Sequence, residues 1–307
     1  MLTNQMLLSD NEFIHIDRII RRPKKDQLTA RQLVKPVTDL QPFDDHYGYN
    51  VETTTGRAKL GTDRQTDVPL VGVGLSKSYV PIVEYKVGLD YTYEEVARAN
   101  AVGYSVLDAK ANAAKRALAE FENQLIFNGK NLGKQIIDDE KLIGFTTDPK
   151  ISGVQVADSE IHFRDTVGDE EKSEKLRDIL QEASELISNL PGYNGAMPIL
   201  CLPPKLLGYI KRPYNKYNVD TSVSKLISDF VRAILPVPEL AAENNPRGED
   251  MGLLLLNDPD IMAFPDAMRA QAMQAAYDGE RTLQVYMQRT GGLILYQPKA
   301  VVQLTGI

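Results

Sequence analysis

The chain has 307 residues, 43% of them apolar and 25% charged, with a net charge of −7. These values exclude wholesale disorder and allow one large domain or two modest ones. The acidic balance argues against a protein whose main task is gripping DNA or anionic lipid, because that grip comes from clustered Lys and Arg.

Cys201, the one cysteine, lies in the run MPILCLPP. No intramolecular disulfide can form, and the thiol reads as a small buried hydrophobe made in a reducing compartment. The start, MLTNQMLLSDNEF, lacks the basic stretch and apolar core of a signal peptide. No apolar run approaches the roughly 20 residues of a membrane span. A soluble protein made in the cytosol is expected.

In chain order, residues 1–50 read as an extended arm with prolines at Pro23, Pro36 and Pro42 and a short helix around Asn11–Ile20. The basic cluster RIIRRPKK (18–25) reads as a solvated run, with contact to an acidic neighbour or to nucleic acid as the alternative. Residues 51–90 have strand formers at both ends and a polar Gly/Thr/Lys/Asp middle. They show no helical period, so a long two-stranded hairpin is expected. Such a hairpin is marginal alone and needs a surface to lie on.

A rod follows. From about Thr92, with Glu94 and Glu95 in the first turn, the spacing predicts one helix to Asn128, stopped at Gly129. Val96, Leu107, Leu118, Phe121 and Leu125 recur at helical steps, with small residues at Ala99, Gly103, Ala111 and Ala114. Ser173 is expected to open a second helix ending at Pro191-Gly192. MPILCL (197–202) and GLLLLN (252–257) read as buried strands, and PPKLLGYIKR as a short helix. SVSKLISDFVRAI fits a third helix closely. Two closing strand runs are expected to meet in a hairpin at Thr290-Gly291-Gly292.

Signatures of chemistry are sparse. His15, His46 and His162 are scattered, and Asp44-Asp45-His46 lacks a second His at ligand spacing. GVGLSKS (72–78) is neither a dinucleotide nor a phosphate loop, so Gly72 and Gly74 read as strand irregularities. Asp138-Asp139-Glu140 reads as a solvated loop. No catalytic residue, cofactor or metal ligand is nominated.

The order of parts resembles the HK97-fold major capsid proteins of tailed bacteriophages, over nearly the whole chain. The pieces that carry the resemblance are TARQLVKPV (29–37), ALAEFENQLIFNG (117–129) followed by GFTTDP (144–149), and the closing RTGGLILYQPKAVVQLTGI. The resemblance implies an α+β fold with an N-terminal arm (1–50), an E-loop hairpin (51–90), a P-domain (91–194) with its spine helix at 92–128, an inserted A-domain (195–275) and closing strands (276–307). It implies an assembly interface through Val68, Leu70, Val71, Val73, Leu75, Tyr79, Val80 and Ile82. Self-cross-linking through Lys59 or Lys77, with Asn257 or Asn244 as partner, is a weaker implication than plain surface lysines.

The implied function is a structural, non-enzymatic shell subunit of the virion, assembled in the host cytoplasm. The implied partners are further copies in pentamers and hexamers, scaffolding, portal and decoration proteins, and double-stranded DNA held without sequence-specific contact; no membrane is involved. The rival readings are an encapsulin-type nanocompartment shell, which shares the fold, and a soluble enzyme of unknown class.

Overall fold

A computed structural model describes residues 27–57, 70–101, 103–132, 135–136, 142–155, 162–166, 169–214, 217 and 220–307. The expected helix at 11–20, the basic cluster at 18–25 and the acidic trio at 138–140 lie outside these residues, as do Lys59 and Val68.

The first half comprises α1 (Ala30–Leu33), β1 (Lys35–Val37), β2 (His46–Thr55), β3 (Gly72–Thr92), α2 (Tyr93–Ala101) and α3 (Val106–Asn128). Next come β4 (Asn131–Leu132), β5 (Gln135–Ile136), β6 (Ser152–Gln155), α4 (Glu170–Ser188), β7 (Ile199–Leu202), α5 (Pro204–Ile210) and α6 (Val223–Leu226). The chain closes with β8 (Ala233–Pro236), β9 (Gly252–Leu255), β10 (Met262–Ala272), β11 (Ala276–Tyr277), β12 (Arg281–Gly291), β13 (Ile294–Leu295) and β14 (Val301–Thr305).

Two sheets organise the chain. One runs β1-β10-β12-β3-β2, with β11 on β12 and β13 on β10; the other runs β6-β14-β9-β7-β8. In the second sheet β7 and β9 are buried on both faces, and strand alternation sends neighbouring residues to different cores. Cys201, Leu253 and Leu255 join Phe127, Phe145 and Phe264 on one side. Leu200, Leu202 and Leu254 join Leu176 and Leu180 of α4 on the other. Burial pushes the Cys201 thiol up to about 12, so it stays protonated and inert.

Several elements differ from expectation. The rod is two helices. Gly103 takes a positive φ of 72°, and Ser105 caps a new start by accepting from the Asp108 amide at 3.4 Å. Helix α4 starts at Glu170, capped by Asp169, while Ser173 is buried and donates to the Thr166 carbonyl. The segment SVSKLISDFVRAI keeps only one turn, α6, and a tighter turn over Ile227–Asp229. Its end becomes β8, because pairing in parallel with β7 completes the second sheet and overrides helical periodicity. The hairpin at Thr290-Gly291-Gly292 is absent: β12 runs through Gly291, and the chain then supplies β13 to one sheet and β14 to the other. A side chain at Gly291 would put its Cβ 2.4 Å from Pro265, so the bare backbone serves close packing and not a turn. Strand pairing also crosses the expected domain limits: β10, placed in 195–275, pairs with β12, and β14, placed in 276–307, pairs with β9.

Two of the motifs form one lock. The end of α3 leaves carbonyls without intrahelical partners. GFTTDP supplies the donors: the Phe145 amide reaches the Ile126 carbonyl at 3.3 Å and the Thr146 amide reaches Phe127 at 2.9 Å. The Thr146 hydroxyl adds bonds to the Phe127 carbonyl and to Asn128 Oδ1, each 3.1 Å. Gly129 has φ +59°, and a Cβ on Gly144 would lie 2.3 Å from the Gly129 nitrogen. Gly144→Ala should therefore cost the subunit about 1–3 kcal/mol through overpacking, read as a lower denaturant midpoint. An unchanged midpoint would show that the two segments can separate freely.

Candidate assembly interface

β2 and β3 form a ribbon with continuous antiparallel register from His46↔Pro81 to Thr55↔Gly72. The second edge of β3 is covered by β12 only from Ile82 to Thr92. Between Gly72 and Pro81 the ribbon is two strands thick. Directly paired residues share a face. One face carries Val73, Leu75, Lys77 and Tyr79 with Thr54, Glu52, Asn50 and Gly48 opposite them; on the other, β3 offers only Gly72, Gly74, Ser76 and Ser78.

Of the expected interface residues, Leu70 (88%) and Leu75 (70%) are largely in solvent, and Val71, Val73 and Tyr79 are also exposed. Val80 (5%) and Ile82 (8%) are not available to a partner. They sit where β3 meets the body, with the Ile82 amide bonded to the Asp45 carbonyl at 2.9 Å, so their β-branched character serves the chain's own core. Lys77 is exposed and faces Asn50 across the ribbon. Asn257 donates to the Gln32 carbonyl at 2.7 Å, and Asn244 to Pro238 at 2.9 Å. Asp45, read as part of a weak metal signal, is instead a partner of Arg289 at 2.9 Å, and Asp44 accepts from the Gln41 amide. Among the described residues no group of three or more His, Cys, Asp or Glu could hold a metal ion. No helix among them is long and apolar enough to cross a membrane.

Of the rod's expected packing residues, Leu118 and Leu125 are fully buried, and Phe121 packs half-buried against Leu125 and Leu142, 4.5 Å from the Tyr85 ring. Val96 on α2 is half-buried. Leu107 is 38% exposed, because the break at Gly103 restarts the helical phase and turns that position outward.

Sequence reasoning missed the polar centre beneath the ribbon's root. Glu122 and Asp266 are both buried. Arg31 of α1 reaches Glu122 through Nε and Nη2, each at 2.6 Å, and Asp266 through Nη2 at 2.9 Å, with its guanidinium 5.4 Å from the Phe264 ring centre. Gln288 donates to Glu122, and Asn123 Oδ1 accepts from the Ala30 amide at 2.9 Å. Burial is the largest influence on Glu122 and lifts its carboxyl above the usual range, against the pull of Arg31. Burial opposes the charge on Arg31, but the two acids together outweigh it and hold the guanidinium more firmly protonated. The available signal was a pair of polar residues, Glu122-Asn123, inside an otherwise apolar helix end.

A family profile described as major capsid protein matches residues 56–307, and the chain belongs to that family. No curated protein matches it by sequence. Among solved structures, the capsid of Myoviridae phage XM1 is similar over 98% of this chain and 99% of its own, with a TM-score of 0.79 at 11% identity. A Gordonia phage Cozz chain is similar over 97% and 91%, TM-score 0.66, at 15% identity. A virus-like particle from Pyrococcus furiosus is similar over 89% and 90%, TM-score 0.58, at 15% identity. The α+β fold is thus that of the phage capsid proteins, and the protein is a self-associating structural component of the virion, not an enzyme.

Two outcomes follow for the polar centre. Arg31→Ala leaves buried Glu122 without its cation and Asp266 with only Arg269 at 3.7 Å, and should cost about 3 kcal/mol, the low end for a broken buried pair because the Arg31 side chain is 40% exposed. Glu122 has a folded value above its ordinary 4.5. Its contribution is therefore fully present below the unfolded value and is lost as pH rises through the folded one. The stability of wild type relative to Glu122→Gln should fall as pH rises above the ordinary carboxylate range in denaturant titrations. A difference that grows with pH would contradict this assignment.

Proposed function

We propose that the ribbon is the clasp by which copies of this chain close a shell. One observation carries the reading. Val73 and Leu75 stand in solvent on a strand that, from Gly72 to Pro81, is paired by β2 alone, and Leu70 and Val71 are exposed just before it. A two-stranded ribbon is marginal in water, and an apolar strip on it gains stability once a second surface covers it. A neighbouring copy is the surface always present in a self-associating protein. The contact is heterologous, since ribbon meets body and not ribbon, and rotation then closes rings.

In this reading, pentamers and hexamers tile an icosahedral shell that encloses double-stranded DNA. Scaffolding, portal and decoration proteins are its further partners, and assembly takes place in the host cytoplasm. Ordering an arm costs roughly 1–2 kcal/mol per residue in backbone entropy. Each clasp is therefore weak alone, and the shell holds because many must open together. The net charge of −7 suits a wall that does not grip its DNA tightly. In support stand the family membership and the likeness in fold to phage capsids.

Deleting residues 56–71 should leave a folded subunit that fails to close stable particles by sedimentation and electron microscopy. Leu75→Asp should lower particle yield at unchanged subunit stability. Normal particles from both would overturn the clasp.

A further inference from the structure

The root of the ribbon carries three tyrosines for which bare assembly through the ribbon gives no reason. Tyr47 and Tyr49 lie two residues apart on β2, hence on one face, with ring centres 6.4 Å apart and planes at 22°. Tyr296 meets Tyr49 edge to face, 5.2 Å and 86°. Partial burial, then a hydrogen bond with Tyr47, raises the Tyr296 phenol above its ordinary range. Tyr296 belongs to the body: it follows β13, and its amide donates to the Ile261 carbonyl at 2.9 Å. On the opposite face the Tyr79 ring lies over Gly48, so close that a Cβ there would sit 2.9 Å from it.

We propose that Tyr296 is a positioning residue for assembly, gripping Tyr49 and Tyr47 so that the paired strands Asn50–Thr55 and Gly72–Lys77 leave the body at one fixed angle. This rests on the ribbon being the clasp between copies. The geometry explains the need. On the β3 side the ribbon continues into the body through pairing with β12 from Ile82 onward, a single line about which it can swing. Among the described residues, the side-chain hydrogen bonds of Thr53, Thr55 and Ser76 stay inside the ribbon and give no outer support. Asn50 to Thr55 spans roughly 17 Å, so a ten-degree swing at the root moves the tip by about 3 Å. That is close to the spacing of one residue along a strand, enough to misplace the tip end of the apolar strip, at Val71, by nearly a full position on its acceptor. Tyr49 and Tyr296 brace the second strand. The ribbon is then presented already aimed, and less orientational freedom is lost on docking.

The test compares assembly thresholds, the lowest subunit concentration that yields closed particles, for wild type, Tyr296→Phe, Tyr296→Ala, Tyr49→Ala, the double alanine variant and the 56–71 deletion. Unfolding midpoints are measured in parallel. Loss of one aromatic pair should raise the threshold roughly two- to tenfold in either single alanine variant. The double variant should do less harm than the two single effects combined, because both singles remove the Tyr49–Tyr296 contact. Tyr296→Phe keeps the ring and should restore a near-normal threshold. If both single alanine variants assemble at the wild-type threshold while the deletion does not, the grip is refuted and the clasp stands. If the deletion and Leu75→Asp both assemble normally, the clasp falls and the grip with it. A threshold rise confined to Tyr296→Ala and matched by a lowered midpoint would make Tyr296 a plain packing residue, which also overturns the proposal.

Discussion

The buried bridge from Arg31 to Glu122 and Asp266 is the contact on which the rest of the molecule leans. It joins a four-residue helix in the arm region to α3 and to β10, and through Gln288 it reaches β12. The next residue on β12 is Arg289, which holds Asp45 and the Pro42 carbonyl at the foot of the ribbon. Four segments, α1, α3, β10 and β12, thus meet in one network of charge-assisted hydrogen bonds, and the backbone of β12 ties it to the foot of the ribbon. Such networks are costly to bury and are strongly destabilising when one member is removed. Their gain is a fixed geometry, and a lever is useful only if its mount does not yield.

The lever itself is built on the opposite logic. Two strands carry it, one face offers Val73 and Leu75, and the other is lined on β3 by glycine and serine. Nothing in its own ladder makes it strong. A flat apolar edge invites wrong pairings, and Lys77 and Glu52 on the apolar face interrupt the strip with charge. In the proposed clasp, modest affinity per contact and a rigid mount would together favour closure over random aggregation, since a misaimed contact gains little and can be released.

Legibility in the sequence followed locality. The ribbon was readable because β-branched residues bracket a polar middle, and the end of α3 because Gly129 stops an apolar stripe. The break at Gly103 was not, because a glycine within a helical period reads equally as a close-packing site; only its positive φ shows the difference. Segment 222–234 kept Val223, Ile227 and Val231 buried at helical spacing, yet its last residues pair with β7, a partner some thirty residues upstream that periodicity cannot see. Val80 and Ile82 look like their exposed neighbours Val71 and Val73. Burial was decided by where β12 begins to cover β3, which is a fact of topology. The tyrosine grip and the Arg31 bridge were hidden for the same reason: Tyr49 and Tyr296, like Arg31 and Asp266, are joined only by the fold.

The central claim is that the ribbon finds its cover on another copy of the chain. A reconstruction of the assembled particle at side-chain resolution tests it most directly. The account predicts Val73 and Leu75 of every subunit buried against a neighbour, with the ribbon leaving its root at the angle set by Tyr296. A ribbon lying on its own subunit, or standing in solvent in the closed particle, would contradict it.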